Sequence, residues 1–131
     1  MVTPGFASAG GGPRTFQPVQ PQTAGRLRVL RIGDVELQID GHQLRVRGQV
    51  VPLPHKEFLI LRLLMDNAGR VVTRREILDE GWGGTQYDGT KALEVHIMRL
   101  RARIEDDPRT PARIRTVRGI GYVYDPPDDL R

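Results

Sequence analysis

A small α+β fold is predicted by three observations. A period-two alternation of apolar and polar residues, punctuated by Gly33-Asp34, Asp40-Gly41 and Gly48, runs from Arg26 to Val51. Helical spacing replaces it after Pro52-Leu53-Pro54 and lasts to Asp107-Pro108, and two short β-prone runs separated by glycines close the chain. With 131 residues, 38% of them hydrophobic and 27% charged, the chain holds one modest domain and loose ends. Such a domain has enough apolar surface for a single core without a metal or covalent staple. Cysteine is absent, which excludes disulfides and thiolate metal sites.

Residues 1–25 contain four Pro, five Gly and a single charged side chain, Arg14, and are expected to form a flexible leader or linker. The folded domain is expected over 26–125. Its opening runs, 27–32, 35–39, 43–47 and 49–51, predict a small antiparallel sheet of about four strands, with Arg28, Arg31, Glu36, Gln38, Arg45 and Arg47 on its solvated face. Phe58, Leu59, Leu61, Leu64 and Met65 then recur at helical spacing and stop at Asn67-Ala68-Gly69, which predicts a first helix. Thr73 and Glu76 fit a capping box that opens a second, short helix unable to pass Gly81-Trp82-Gly83-Gly84. A glycine-rich connection leads to a third helix over 90–105, whose Leu93, Ile97, Leu100 and Ile104 form one apolar stripe. Runs 111–117 and 122–124 predict a terminal hairpin around Arg118-Gly119-Ile120-Gly121, and residues 126–131 a frayed, disordered tail.

Charge is unevenly placed along this order. Residues 91–124 carry eight Lys or Arg against four Asp or Glu, whereas residues 55–90 carry five against six. Eighteen of the twenty cations are Arg, whose planar fork suits phosphate and guanine, although GC-rich coding produces the same bias. Two helices, a loop, a third helix with a basic outer face and a hairpin tipped by Arg make the order of a winged helix-turn-helix. Such a module sets one helix in the major groove, where base edges are distinguishable, and lets the hairpin reach a neighbouring groove. An Arg at the tip suits a narrow A/T-rich minor groove.

Five blocks sharpen this expectation: Leu53-Pro54-His55-Lys56-Glu57-Phe58, Gly69-Arg70-Val71-Val72-Thr73-Arg74-Arg75-Glu76, Trp82-Gly83, Val95-His96-Ile97-Met98-Arg99-Leu100-Arg101 and Thr116-Val117-Arg118-Gly119-Ile120-Gly121-Tyr122. Together they resemble the C-terminal effector domain of the OmpR/PhoB family over residues 27 to 124. The resemblance implies a four-stranded N-terminal antiparallel sheet, a three-helix core and a C-terminal β-hairpin wing, binding double-stranded DNA sequence-specifically to regulate transcription. It implies two copies on direct repeats, forming a weak homodimer on DNA. Val95 and Arg99 would face bases with Glu94 and Met98 beside them. Lys91, His96, Arg101, Thr116, Tyr122 and Trp82 would meet the backbone, and Arg118 would enter the minor groove. Arg103, on the same helix, joins the expected DNA contacts. The segment from Gly83 to Thr90 corresponds to a loop that touches RNA polymerase in activators of the family. No cofactor, metal or membrane partner is implied.

Some positions depart from the family pattern. Pro54 replaces the usual hydroxyl cap of the first helix. Met98 stands where a basic residue is common, so that one phosphate contact is lost or is exchanged for apolar contact with a thymine methyl. Gly81 and the glycines after Trp82 weaken the polymerase-loop assignment. The resemblance covers no receiver domain and so assigns no phosphorylation control.

An enzyme is the main competing class, and its parts do not assemble. His42, His55 and His96 lack metal-ligand spacing, and there is neither a P-loop nor a Ser-centred nucleophile motif. Asp106-Asp107 reads as a helix stop. A winged-helix protein–protein interaction module without DNA binding is the other alternative, and the basic third helix speaks against it. No apolar run approaches the roughly 20 residues that span a bilayer, and the N-terminus lacks a secretory pattern, so the expected compartment is the cytoplasm.

Overall fold

The computed structural model describes residues 28–83 and 90–127. The expected leader, the segment 84–89 of the glycine-rich connection and the tail from 128 lie outside the described residues. Four antiparallel strands come first, β1 (Val29–Ile32), β2 (Val35–Gln38), β3 (Gln43–Val46) and β4 (Gln49–Val51), arranged in chain order. Their register explains the period-two pattern: Leu30, Leu37, Leu44 and Val51 form one cross-strand row on the core side. Arg31, Glu36, Arg45 and Val50 form the row on the other side. Arg47 departs from the expectation that it ends a strand. It has φ 53° beside Gly48 at φ 81°, so the pair forms the hairpin turn.

Helix α1 (His55–Asp66) follows. Pro54 occupies its N-cap without a side-chain hydrogen bond, as its missing hydroxyl requires. The core face is made by Phe58, Ile60, Leu61, Leu64 and Met65, with Leu59 only half-buried, so Ile60 takes the place expected for Leu59. Next comes β5 (Val71–Thr73), which the hydrophobic pattern did not signal, and then α2 (Arg74–Trp82). Thr73 Oγ1 accepts from Glu76 N at 3.1 Å while Glu76 Oε1 accepts from Thr73 N at 2.9 Å, completing the capping box. Gly83, at φ 65°, stops α2 where the sequence required.

Helix α3 (Thr90–Ile104) buries Leu93, Ile97, Leu100 and Ile104 against the core. The chain returns through β6 (Ile114–Val117) and β7 (Gly121–Tyr124). These are not an isolated hairpin: β7 lies between β6 and β5 in a three-stranded sheet. The wing is thereby anchored to the segment between α1 and α2. Glu105, 6% exposed, accepts the backbone N–H groups of Ala112, Arg113 and Ile114, fixing the end of α3 to the root of β6. Arg113 adds donation to the Ile104 carbonyl and to Asp34 of the first sheet, each at 2.6 Å. No described helix is long and apolar enough to cross a membrane.

Candidate nucleic-acid interface

At 3.6 residues per turn the buried stripe of α3 leaves Lys91, Val95, Met98, Arg99 and Ala102 on the opposite side. Lys91, Met98, Arg99 and Ala102 are exposed and Val95 is half-buried. Met98, 60% exposed, places a large apolar side chain among the cations, where it is available to a base methyl.

The two flanks of this face meet different elements. On one flank, Glu94 lies 3.9 Å from Arg74 at the start of α2, and the Arg74 backbone N–H donates to Ile120 O in the wing turn. Arg101 on the same flank donates to Ile114 O and, at 2.8 Å, to Thr116 Oγ1. The guanidiniums of Arg74 and Arg101 stand 6.0 and 5.9 Å from the Tyr122 ring. Burial lowers the Arg101 pKa from its usual value, with Tyr122 and Glu105 opposing, yet a guanidinium stays charged. Burial likewise raises the Tyr122 phenol despite both arginines, so it remains a protonated donor. On the other flank, His96 meets the Trp82 ring edge-on at 5.4 Å, and Lys56 Nζ lies 4.9 Å from the centre of the same indole. The outward face of α3 is thus bordered by the wing root on one side and by the α1 start and α2 end on the other.

Unpaired positive charge gathers on the same surface. Among the described residues, the arginines without a carboxylate within 4.0 Å are Arg45, Arg99, Arg101 and Arg118, and neither Lys56 nor Lys91 has such a partner. Only Arg45 lies away from α3, the wing and their borders. A family model described as "Transcriptional regulatory protein, C terminal" matches residues 48–124. The chain belongs to the OmpR/PhoB-type family of DNA-binding transcriptional regulatory domains.

Sensory transduction protein RegX3 of Mycolicibacterium smegmatis is 46% identical over 94 residues, covering 72% of this chain and 41% of the relative. Response regulator DrrB of Thermotoga maritima, described as an OmpR/PhoB homolog, superposes with a TM-score of 0.68 at 36% identity, over 74% of this chain and 44% of that one. The Klebsiella pneumoniae RstA DNA-binding domain, solved in complex with the RstA box, gives 0.68 at 31% identity, over 76% of this chain and 99% of that one. The chain spans about two fifths of the length of its curated RegX3 relatives.

Within this OmpR/PhoB-type domain the structure brings together Lys91, Glu94, Val95, Met98 and Arg99 on one face, with Arg101 and Thr116 at the wing root and exposed Arg118 at the wing tip. Trp82 and His96 pair at the other border. Two of the expected residues have partners within the domain. Arg103 Nε donates at 2.8 Å to Glu57, which is 1% exposed, and Nη1 donates to Pro52 O. Tyr122 is 3% exposed, and its ring lies beside the guanidiniums of Arg74 and Arg101. Sequence reasoning missed Arg74 and Lys56. The capping box had already put Arg74 in the first turn of α2, but its meeting with Tyr122 depends on the β5–β7 pairing. The expected polymerase loop lies, apart from its end residues, outside the described residues.

Proposed function

We propose that the chain reads double-stranded DNA in the cytoplasm as a transcriptional regulator, with the outward face of α3 in the major groove and the wing tip in the adjoining minor groove. The observation that carries this reading is the set of cations without carboxylate partners, Lys91, Arg99, Arg101 and Arg118, on α3 and the wing while most other arginines are paired. Evenly solvated charge would leave unpaired arginines on every side.

Arg99 and Val95 face base edges, with Glu94 and Met98 beside them. Lys91, His96, Arg101, Thr116 and Trp82 contact the backbone, joined by Arg74 and Lys56, and Arg118 enters the minor groove. Two copies occupy direct repeats as a weak homodimer formed on DNA, and the 83–90 loop is the surface offered to RNA polymerase. Domain limits of 26–125 belong to the same proposal.

Selection of bound fragments from a genomic library supplies the operator, and shift assays across a salt series test the mode. Affinity falls steeply with salt as counterions leave the phosphates. Salt-insensitive or absent binding replaces this reading with a protein-interaction module. Arg99→Ala is expected to cost about 1–3 kcal/mol of specific binding and to relax discrimination at one base position. Arg118→Ala is expected to erase the preference for A/T-rich flanks while the core site stays readable. Indifference to flanking sequence in the parent chain would remove the wing from the minor groove.

A further inference from the structure

His96 is half-buried on the α3 flank that faces Trp82, and its Nδ1 lies 2.7 Å from the Ala92 carbonyl oxygen. A carbonyl oxygen only accepts, so Nδ1 carries a proton whether the ring is neutral or charged. In the neutral ring Nε2 is therefore a bare lone pair. A lone pair facing a phosphate oxygen is repelled, and only the imidazolium offers Nε2–H as a donor. Nε2 is not one of the fully buried, unpartnered side-chain polar atoms, which among the described residues are Arg45 Nε and Tyr124 OH.

Resting on the DNA-binding reading above, we infer that His96 joins the phosphate backbone only as imidazolium, so that duplex binding takes up a proton at Nε2. The proton comes from solvent hydronium, leaving water behind, forms the Nε2–H bond with the ring's lone pair, and stays there while phosphate is bound. From α1 the neighbouring charge is Lys56, held 3.1 Å from Gly81 O and over the indole; α2 contributes the uncharged Trp82 ring. From α3 itself, Arg99 lies one turn on, Glu94 half a turn back, and Arg103 is neutralised by Glu57. An arriving phosphate thus meets Lys56 as a standing positive charge and His96 as one that binding creates. Affinity is tied to pH by this single tautomer.

A phosphate contact is blind to sequence, so a mixed-sequence duplex of about 25 base pairs at fixed salt serves as probe for the full chain. Affinity is measured from about pH 8 to about pH 5.5, the span in which imidazoles titrate. The parent chain is expected to bind about three- to ten-fold tighter at the acid end. His96→Gln, with an amide that donates at every pH, is expected to give a flat profile. His42→Gln and His55→Gln alter the pair stacked beside Phe58 and are expected to keep the parent slope. A flat parent profile, or an unchanged slope in His96→Gln, overturns the proton linkage while leaving DNA binding intact. Absence of duplex binding at every pH overturns the DNA reading and the linkage together. Nitrogen NMR of the free chain at about pH 8 should show the Nδ1–H tautomer of His96. The Nε2–H tautomer overturns the inference independently of any variant.

Discussion

Arg103→Ala is expected to destabilise the domain by about 3–4 kcal/mol in urea unfolding, while the folded variant keeps its affinity for duplex DNA within about two-fold. Glu57 is 1% exposed, and Arg103 supplies its charge partner at 2.8 Å. Removing the guanidinium strands a carboxylate where water cannot reach it, and the cost is that of an unpaired buried charge. The Arg103 side chain is 26% exposed, so partial solvation holds the loss below the top of the range for such pairs. Replacing both residues by methionine should recover most of the stability, because the pair then needs neither charge nor desolvation. A large loss of DNA affinity at unchanged stability would return Arg103 to the contact surface.

Gly121→Ala is expected to cost about 3 kcal/mol and to lower the melting temperature by roughly 10–20 °C. A Cβ at this position would sit 2.0 Å from the Val72 carbonyl oxygen and 2.8 Å from Thr73 Cα. Both are backbone atoms of the paired strand β5, so no side chain can rotate away and the two strands must part. Gly119 gives the contrast. Its φ of 78° demands a left-handed residue, yet nothing lies within 4 Å of a Cβ placed there. Gly119→Ala should therefore cost only about 1 kcal/mol, the penalty of backbone conformation alone. If Gly121→Ala melted with the parent chain, the register of β5 on β7 would be wrong.

These two positions also mark where sequence reading stops. Glycines in the terminal turn were legible as turn residues, and for Gly119 a backbone angle is indeed the reason. The reason for Gly121 is a close approach by a strand about fifty residues earlier in the chain. That strand, Val71–Thr73, is too short for a periodicity to register. Arg103 was legible as a cation on the third helix, but its partner lies on α1, 46 residues away. The same holds for Glu105, expected only as the last residue of the third helix, which proves to be the acceptor that ties α3 to the wing.

Composition, periodicity and capping chemistry were enough to determine the order of the first sheet and three helices, the stop of each helix and the basic character of α3, because each depends on residues within a few positions of one another. Which arginines lack a carboxylate partner was decided only when distant segments met. An arginine is spent or left over according to whether a carboxylate from another element reaches it, and that is a property of packing.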